Sequence, residues 1–362
     1  MTQAIHKKKN NVFVIYGGYT QEASVSIRSG QNIIDNLDTS LFSVYEITFF
    51  EKAIVCVLNG EKYKIDLNTF SFTTHDGRII CPDYCFIAVH GAPGENGQLQ
   101  SLFELIGLPY FSVNSRISAL TNHKYHSVCY VKSHDVCVAK NHYINTSHYD
   151  IDAICEKIGF PFFIKACKNG SSIGVSKAYS KEQADQLIKE TLEIDDEIII
   201  EQSITGREFT MGIFTLDNQI IITPPSEELL IENDIDFLSH ENKVDSTKNI
   251  TLTVANVDES LLLKMQNFVR NIYGLFGNQG VMRLDFILNQ KDNELYFLEI
   301  NTIPGMSPQS IFPKMLVAAG MTFSDFLTRT IHEGVEKSTS SACIQGDFRE
   351  YITLTNGIVQ AC

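Results

Sequence analysis

Long hydrophobic runs are missing from this chain of 362 residues. No stretch approaches the roughly 20 apolar residues that a membrane-spanning helix needs. The first apolar run, Val12–Tyr16, follows a basic patch but is far too short for the core of a secretory signal. Positive charge is scarce as well: 29 Lys and Arg stand against 43 Asp and Glu, a formal net charge of −14. That balance argues against nucleic acid or an anionic membrane as the main partner, though a local Lys cluster can still hold a phosphate. The nine cysteines are odd in number and follow no framework spacing. Cys81 and Cys85 stand as CPDYC, without a second pair or a His at zinc-ligand spacing. Reduced thiols in a cytoplasmic protein are the expectation.

The usual nucleotide fingerprints are absent too. Gly17-Gly18 ends the first strand without G-x-G-x-x-G, and Ala166–Gly174 lacks the G-x-x-x-x-G-K-[ST] spacing of a P-loop.

What is present is a globular composition, 44% hydrophobic and 20% charged, long enough for two or three domains. Its most informative stretch is Gly280–Ser310, GVMRLDFILNQKDNELYFLEINTIPGMSPQS. Two strand-like runs, Val281–Leu288 and Glu294–Asn301, flank a polar turn. Strand side chains alternate between faces. Arg283 and Asp285 therefore share one face of the first run and Met282, Leu284 and Phe286 the other, while Glu299 and Asn301 share a face of the second. Asp, Glu and Asn are hard oxygen ligands of the kind that hold Mg²⁺ between carboxylates and phosphates. A solvated sheet face with a surface salt bridge is the competing reading. The Pro304-Gly305 turn, with serines after it, favours a site whose backbone N–H groups meet an anion.

Other segments fit around this stretch. Val12–Tyr16, Gly17-Gly18 and a helix from about Ser24 to Leu37 form a strand–turn–helix unit of the type that binds ligands in α/β folds. Glu22 lies in the turn, with two roles open to it: a charge favourable to the helix N-terminus, or a partner for a substrate ammonium. Further strands are expected at Leu41–Phe50, Ala53–Leu58 and Cys85–Val89, the last leading into His90-Gly91-Ala92-Pro93-Gly94-Glu95-Asn96-Gly97. A His at the C-terminal end of an α/β strand sits where ligands bind, or else is a satisfied structural residue. The strand Phe160–Lys165 precedes a Gly/Ser turn, to which Lys165 and Lys168 bring charge suited to phosphate. Glu227–Ile250 is acidic and poorly periodic; a loop of that length is usually a lid or binding loop. Helices are expected at Gln98–Ile106, Ile151–Ile158, Lys181–Leu192, Glu259–Leu275, Ile311–Gly320 and Phe323–Val335.

Six motifs in order carry a family resemblance: GGYTQEASVS at Gly17–Ser26, HGAPGENG at His90–Gly97, IKACKNGSSIGVSK at Ile164–Lys177, EQSITGREFT at Glu201–Thr210, MRLDF at Met282–Phe286 and EINTIPGMSPQS at Glu299–Ser310. From Val12 to Val335 the chain resembles the D-alanine–D-alanine ligases of the ATP-grasp superfamily. The resemblance implies an α/β and α+β protein, with an N-terminal parallel α/β domain followed by a two-part ATP-grasp fold. The expected division is residues 1–120, 121–210 and 211–335, with a lid loop at 227–251 and a C-terminal extension of unassigned role at 336–362. The implied chemistry is ATP-dependent. One D-alanine becomes an acyl phosphate, a second attacks it, and the dipeptide serves peptidoglycan precursor synthesis. The implied small-molecule partners are D-alanine and ATP, with two Mg²⁺ ions (or Mn²⁺), in a cytoplasmic homodimer.

By motif, the resemblance assigns Glu22 and Ser171 to the ammonium of the first substrate, with His90 beside it. Lys124 and Lys165 are assigned to ATP phosphates, with Ser172 in the covering loop; Glu201, Gln202 and Ile204 meet the adenine and Glu208 the ribose. Asp285, Glu299 and Asn301 would ligate the metal ions, Arg283 and the N–H of Gly305 the tetrahedral oxyanion, and Ser310 and Ile311 the carboxylate of the second substrate. There are departures. Gln202 stands where the family usually has Lys, and Ala166 where Pro usually follows Lys165. In the lid, Lys243 matches the family's Lys, which leaves Val244 in place of a Tyr; His240 is a candidate counterpart of a His carried by depsipeptide-forming relatives. A ligase with another acceptor (D-lactate, D-serine or another amino acid) is therefore the alternative, and a non-catalytic nucleotide-binding module the third reading.

Overall fold

The computed structural model describes residues 9–50, 53–230 and 250–345. Three sheets carry the fold. In the first, β1 (Asn10–Gly17), β2 (Phe42–Phe50), β3 (Ala53–Leu58), β4 (Glu61–Lys64), β7 (Tyr84–Ile87) and β8 (Tyr110–Phe111) lie in the order β4-β3-β2-β1-β7-β8. Strand β1 is apolar on both faces because both are covered. Val12, Val14 and Tyr16 join a core with Ile33 of α1 (Ala23–Asn36), while Phe13 and Ile15 pack with Phe70, Phe72 and Phe103 on the other side. The expected parallel layer is β2-β1-β7-β8; β3 and β4 extend it as an antiparallel edge. β4 is the polar run EKYK, which offers no hydrophobic alternation to read. Two short strands, β5 (Phe72–Thr73) and β6 (Ile79–Ile80), form a separate ribbon.

β1 has parallel neighbours on both sides, β2 and β7. The chain leaves β1 and β7 at one end of the sheet, and the crevice between such strands is where open α/β sheets bind ligands. Glu22 follows β1 and His90 follows β7.

The second sheet is antiparallel throughout, with β9 (Asn141–Ile144), β10 (Phe162–Ala166), β11 (Val175–Ala178) and β12 (Ile198–Gln202) in the order β11-β10-β12-β9. Phe162, Ile164, Ile198 and Ile200 turn to α5 (Ile151–Ile158) and α6 (Lys181–Ile194), where Ile154, Ile158 and Ile188 meet them. Alternation then sends Lys165 and Glu201 to the opposite face. The boundaries of α5 have a local cause: the Asp150 carboxylate accepts from the N–H groups of Asp152 and Ala153, and Gly159 ends the helix at φ 77°.

The third sheet holds β13 (Gly206–Leu216), β14 (Gln219–Ile222), β15 (Ser226–Leu230), β16 (Ile250–Val254), β17 (Val281–Asn289) and β18 (Leu295–Asn301), in the order β16-β15-β13-β17-β18 with β14 paired to β13. Its apolar face carries Met211, Met282, Leu284 and Phe286 against Met265, Val269 and Ile272 of α7 (Glu259–Leu275). The same core takes Ile117 of α3 (Ser115–Asn122) and Val128 and Val131 of α4 (Lys124–Lys132). After α8 (Ile311–Ala318), helix α9 (Phe323–Gln345) joins the first and third sheets, with Phe326 packed on both Phe111 and Phe214.

Two readings of the sequence need correction. The stretch 227–250 is not loop throughout, because its ends pair antiparallel as β15 and β16, Glu227 opposite Thr253. The last helix continues past Val335 to Gln345, so the expected C-terminal extension begins inside it. Among the described residues, no helix is long and apolar enough to cross a membrane.

Candidate active site

The polar face of the third sheet is built by strand register. Arg283 lies opposite Asn301 and Asp285 opposite Glu299, so the four side chains expected to gather form two cross-strand pairs. A β-bulge follows, since Phe286 pairs with Phe297 rather than with Leu298. Strict alternation along β18 would put Phe297 on the same face as Glu299. The extra residue lets Leu295, Phe297 and Ile300 all reach the core while Glu299 and Asn301 face the site. Asp285 is ringed by donors: Arg283 Nε at 3.1 Å and Nη2 at 2.8 Å, Thr210 Oγ1 at 2.5 Å and Asn301 Nδ2 at 3.3 Å. Thr210 is its direct partner across β13.

The second sheet supplies the facing wall. Lys165 Nζ donates to Glu201 Oε2 at 2.6 Å. Burial works against the lysine's charge, but Glu201, followed by Glu299 and Glu208, holds its pKa above the ordinary lysine value. Those carboxylates come from both sheets, which places Lys165 between them. Lys124, the first residue of α4, donates Nζ to the carbonyl of Asn169 at 2.5 Å and lies 4.0 Å from Glu299 Oε2. Lys168 is a correction: its Nζ is committed to Asp195, Asp196 and Glu197, not to the turn that follows it. Gln202 and Ile204, with Ser203 and Thr205, line a cleft of about 700 Å³ whose other side is Asn289, Gln290 and Lys291. Glu208 is exposed on β13.

The Gly/Ser turn after β10 folds over the first sheet. Ser171 Oγ donates to Glu22 Oε1 at 2.6 Å. A Cβ on Gly170 would stand 2.8 Å from the same oxygen, so any larger residue would push the Glu22 carboxylate aside. Ser171 and Ser172 both hold positive φ, 51° and 59°. Burial raises the Glu22 pKa first, and the neighbouring Glu95 charge raises it further; Ser171, His90 and Lys124 pull the other way. His90 is buried, with Nδ1 3.5 Å from Glu95 Oε1 and Nε2 3.1 Å from Ser29 Oγ.

The Pro304-Gly305 turn brings the last group in. Ser310 caps α8 and Ile311 is its first residue, so unpaired N–H groups and the positive end of the helix dipole sit there. Ser310 Oγ accepts from the Ser307 N–H at 3.1 Å and lies 2.8 Å from Ser307 Oγ. A Cβ on Gly305 would meet that Ser310 oxygen at 2.7 Å.

Thus Glu22, His90 and Ser171 meet at the crevice of the first sheet, Lys124, Lys165 and Glu201 form one wall, and Arg283, Asp285, Glu299 and Asn301 form the other. Lys243 and His240 lie outside the described residues. Three contributors were not anticipated: Thr210, Glu95 and Ser29. Thr210 and Glu95 lie inside quoted motifs, EQSITGREFT and HGAPGENG. Ser29 lies outside them; its signal is the run of small residues Ser26, Ser29 and Gly30 on the buried side of α1.

A parallel α/β sheet, then two antiparallel sheets, one bringing Lys165 and the other the carboxylates of β17 and β18 to a shared seam that Lys124 of α4 also reaches, define an ATP-grasp fold. The chain belongs to the D-alanine–D-alanine ligase family: residues 11–113 match the model of the D-ala D-ala ligase N-terminus and residues 132–332 that of its C-terminus. The D-alanine–D-alanine ligase of Flavobacterium psychrophilum is 36% identical over 322 residues, 89% of this chain and 96% of that protein. Among solved structures, D-alanyl-alanine synthetase A from Vibrio cholerae superposes with a TM-score of 0.82 at 25% identity, covering 92% of this chain and 99% of that one. The D-alanine–D-alanine ligase of Bacillus anthracis complexed with ATP has a TM-score of 0.71 at 25% identity, over 92% and 99%.

Proposed function

We propose that this chain is an ATP-dependent D-alanine–D-alanine ligase that forms the dipeptide through an acyl phosphate, for peptidoglycan precursor synthesis in the cytoplasm. The observation that carries the reading is the juxtaposition of three groups. A lysine wall, a carboxylate face with Arg283, and a half-buried carboxylate under a serine loop close on one space. Phosphoryl transfer asks mainly for positioning and charge neutralisation, which such walls supply.

Each residue then takes a task. Glu22, fixed by Ser171, receives the ammonium of the first D-alanine. Its environment disfavours a bare negative charge, so a cation beside it relieves the burial and the repulsion from Glu95. Lys124 and Lys165 draw the ATP phosphates toward the seam between the sheets. Gln202 and Ile204 border the base and Glu208 the ribose. Ser310 and the N–H of Ile311 hold the second carboxylate at the helix N-terminus. Arg283 and the Gly305 N–H steady the oxyanion when the second amine attacks. Ser172 belongs to the loop that keeps water from the acyl phosphate.

The donor set of Asp285, Glu299 and Asn301 fits Mg²⁺: two carboxylates and an amide oxygen leave coordination positions for phosphate oxygens. Bound there, Mg²⁺ supplies charge neutralisation to those phosphates. Homodimer assembly is part of the proposal.

The test is coupled ADP release. D-Alanine should stimulate it and L-alanine should not, and Glu299→Gln should lower it on the order of 100-fold. ATP turnover indifferent to D-alanine would refute the assignment.

A further inference from the structure

A chain of buried hydrogen bonds links the two ends of this site through one side chain. Ser29, on α1 of the first sheet's layer, is wholly buried, as are His90 and Met306 to within a few per cent. Its Oγ accepts from the backbone N–H of Met306 at 3.1 Å and lies 3.1 Å from His90 Nε2. On the far side of the ring, Nδ1 faces the Glu95 carboxylate at 3.5 Å. In the neutral tautomer with its proton on Nδ1, facing that carboxylate, Nε2 accepts a hydrogen bond from the Ser29 hydroxyl. The hydrogen-bonded run is His90 ring, Ser29 hydroxyl, Met306 amide, with the Glu95 carboxylate facing the ring's other side. A second bond from the same helix grips the other side of Met306, where Asn32 Nδ2 donates to its carbonyl at 2.7 Å. Met306 follows Gly305, whose turn closes so tightly on Ser310 that a Cβ there would lie 2.7 Å from its oxygen.

The elements joined are far apart in sequence, Met306 standing 277 positions after Ser29. Ser29 has no direct part in either subsite. It touches the histidine beside the first substrate and the peptide that follows the oxyanion donor of the second.

We propose that Ser29 is a positioning residue that couples the two substrate subsites, transmitting the placement of His90 at the donor site to the Gly305–Met306 turn at the acceptor site. The inference rests on the ligase reading above. Loss of the hydroxyl leaves a buried N–H and a buried ring nitrogen without their partner. The turn carrying Gly305 then loses one of its two ties to α1. The first half-reaction uses the lysine wall and Glu22, which this change does not touch, and His90 keeps Glu95 on the far side of its ring, so this half should proceed. The second half-reaction depends on the turn, so the acceptor should bind more weakly.

The two halves are separable in one preparation. Hydroxylamine traps the acyl phosphate of the first D-alanine as a hydroxamate, and mass analysis reads the dipeptide. In Ser29→Ala, hydroxamate formation should stay within about twofold of the parent. The KM of the acceptor D-alanine should rise on the order of tenfold, the usual effect of one buried donor left unpaired. Asn32→Ala, which cuts the other tie to Met306, should move the same KM in the same direction, and it serves if Ser29→Ala does not fold. Ser29→Thr, which keeps the hydroxyl, should restore most of the acceptor affinity. Equal loss of hydroxamate and dipeptide in both Ala variants, or an unchanged acceptor KM in both, would overturn the coupling. Failure of the unmodified protein to give either product would instead overturn the ligase reading, so the two failures are distinguishable.

Discussion

Removing the Lys165 side chain isolates a buried charge, and the cost follows from the geometry. Its ammonium lies 2.6 Å from Glu201 Oε2, with side-chain exposures of 17% and 7%. At an effective dielectric constant near 20, that separation corresponds to an attraction of about 6 kcal/mol. Desolvation of the two ions offsets most of this, so the intact pair adds little net stability. Lys165→Ala is different because Glu201 remains buried without its partner, a change that typically costs about 3–5 kcal/mol. Urea unfolding followed by far-ultraviolet circular dichroism measures it, tryptophan being absent from the chain. The expected deficit is about 3 kcal/mol at pH 7, and Lys165→Ala/Glu201→Gln should recover most of it. No deficit at pH 7, or one that the added Gln change leaves in place, would refute a buried ion pair here.

Other outcomes follow from the same structure. Glu299→Gln weakens the oxygen donor set, and D-alanine-dependent ADP release should fall on the order of 100-fold, with partial return at raised Mg²⁺. Gly305→Ala drives a Cβ into Ser310 Oγ; the acceptor KM should rise about tenfold while ATP binding by calorimetry is unchanged. Glu197 accepts from Lys168 and Tyr143, which hold its carboxyl at about 2. A depressed carboxyl contributes stability that is present above about pH 4.5 and lost as pH falls toward 2, so Glu197→Gln should flatten acid unfolding in that window. Gly170→Ala, which crowds the Glu22 carboxylate, should raise the donor KM in steady-state assays and leave the acceptor KM in place.

The sequence and the structure agree best where one local rule suffices. The periodicity of α7 and the punctuation of α5 by Asp150 and Gly159 give those helices the ends the structure shows. The face shared by Arg283 and Asp285 follows from alternation alone. Three features needed three-dimensional information. The bulge before Glu299 has no residue signature in LYFLEIN, because it depends on what β17 presents opposite. Lys168 looked like a phosphate ligand by position in the turn, but three carboxylates around Asp195–Glu197 capture it. Ser29 reads as an ordinary helical serine until Met306, 277 residues later, folds against it. Long-range partners decide such residues, and local pattern carries no trace of them.

The measurement closest to the centre of the account is product stoichiometry. Incubation with ATP, Mg²⁺ and D-alanine should yield the D-alanyl-D-alanine mass, with one ADP and one phosphate for each dipeptide. L-Alanine should yield none of them. ADP formed without dipeptide, or dipeptide formed equally from L-alanine, would contradict the account.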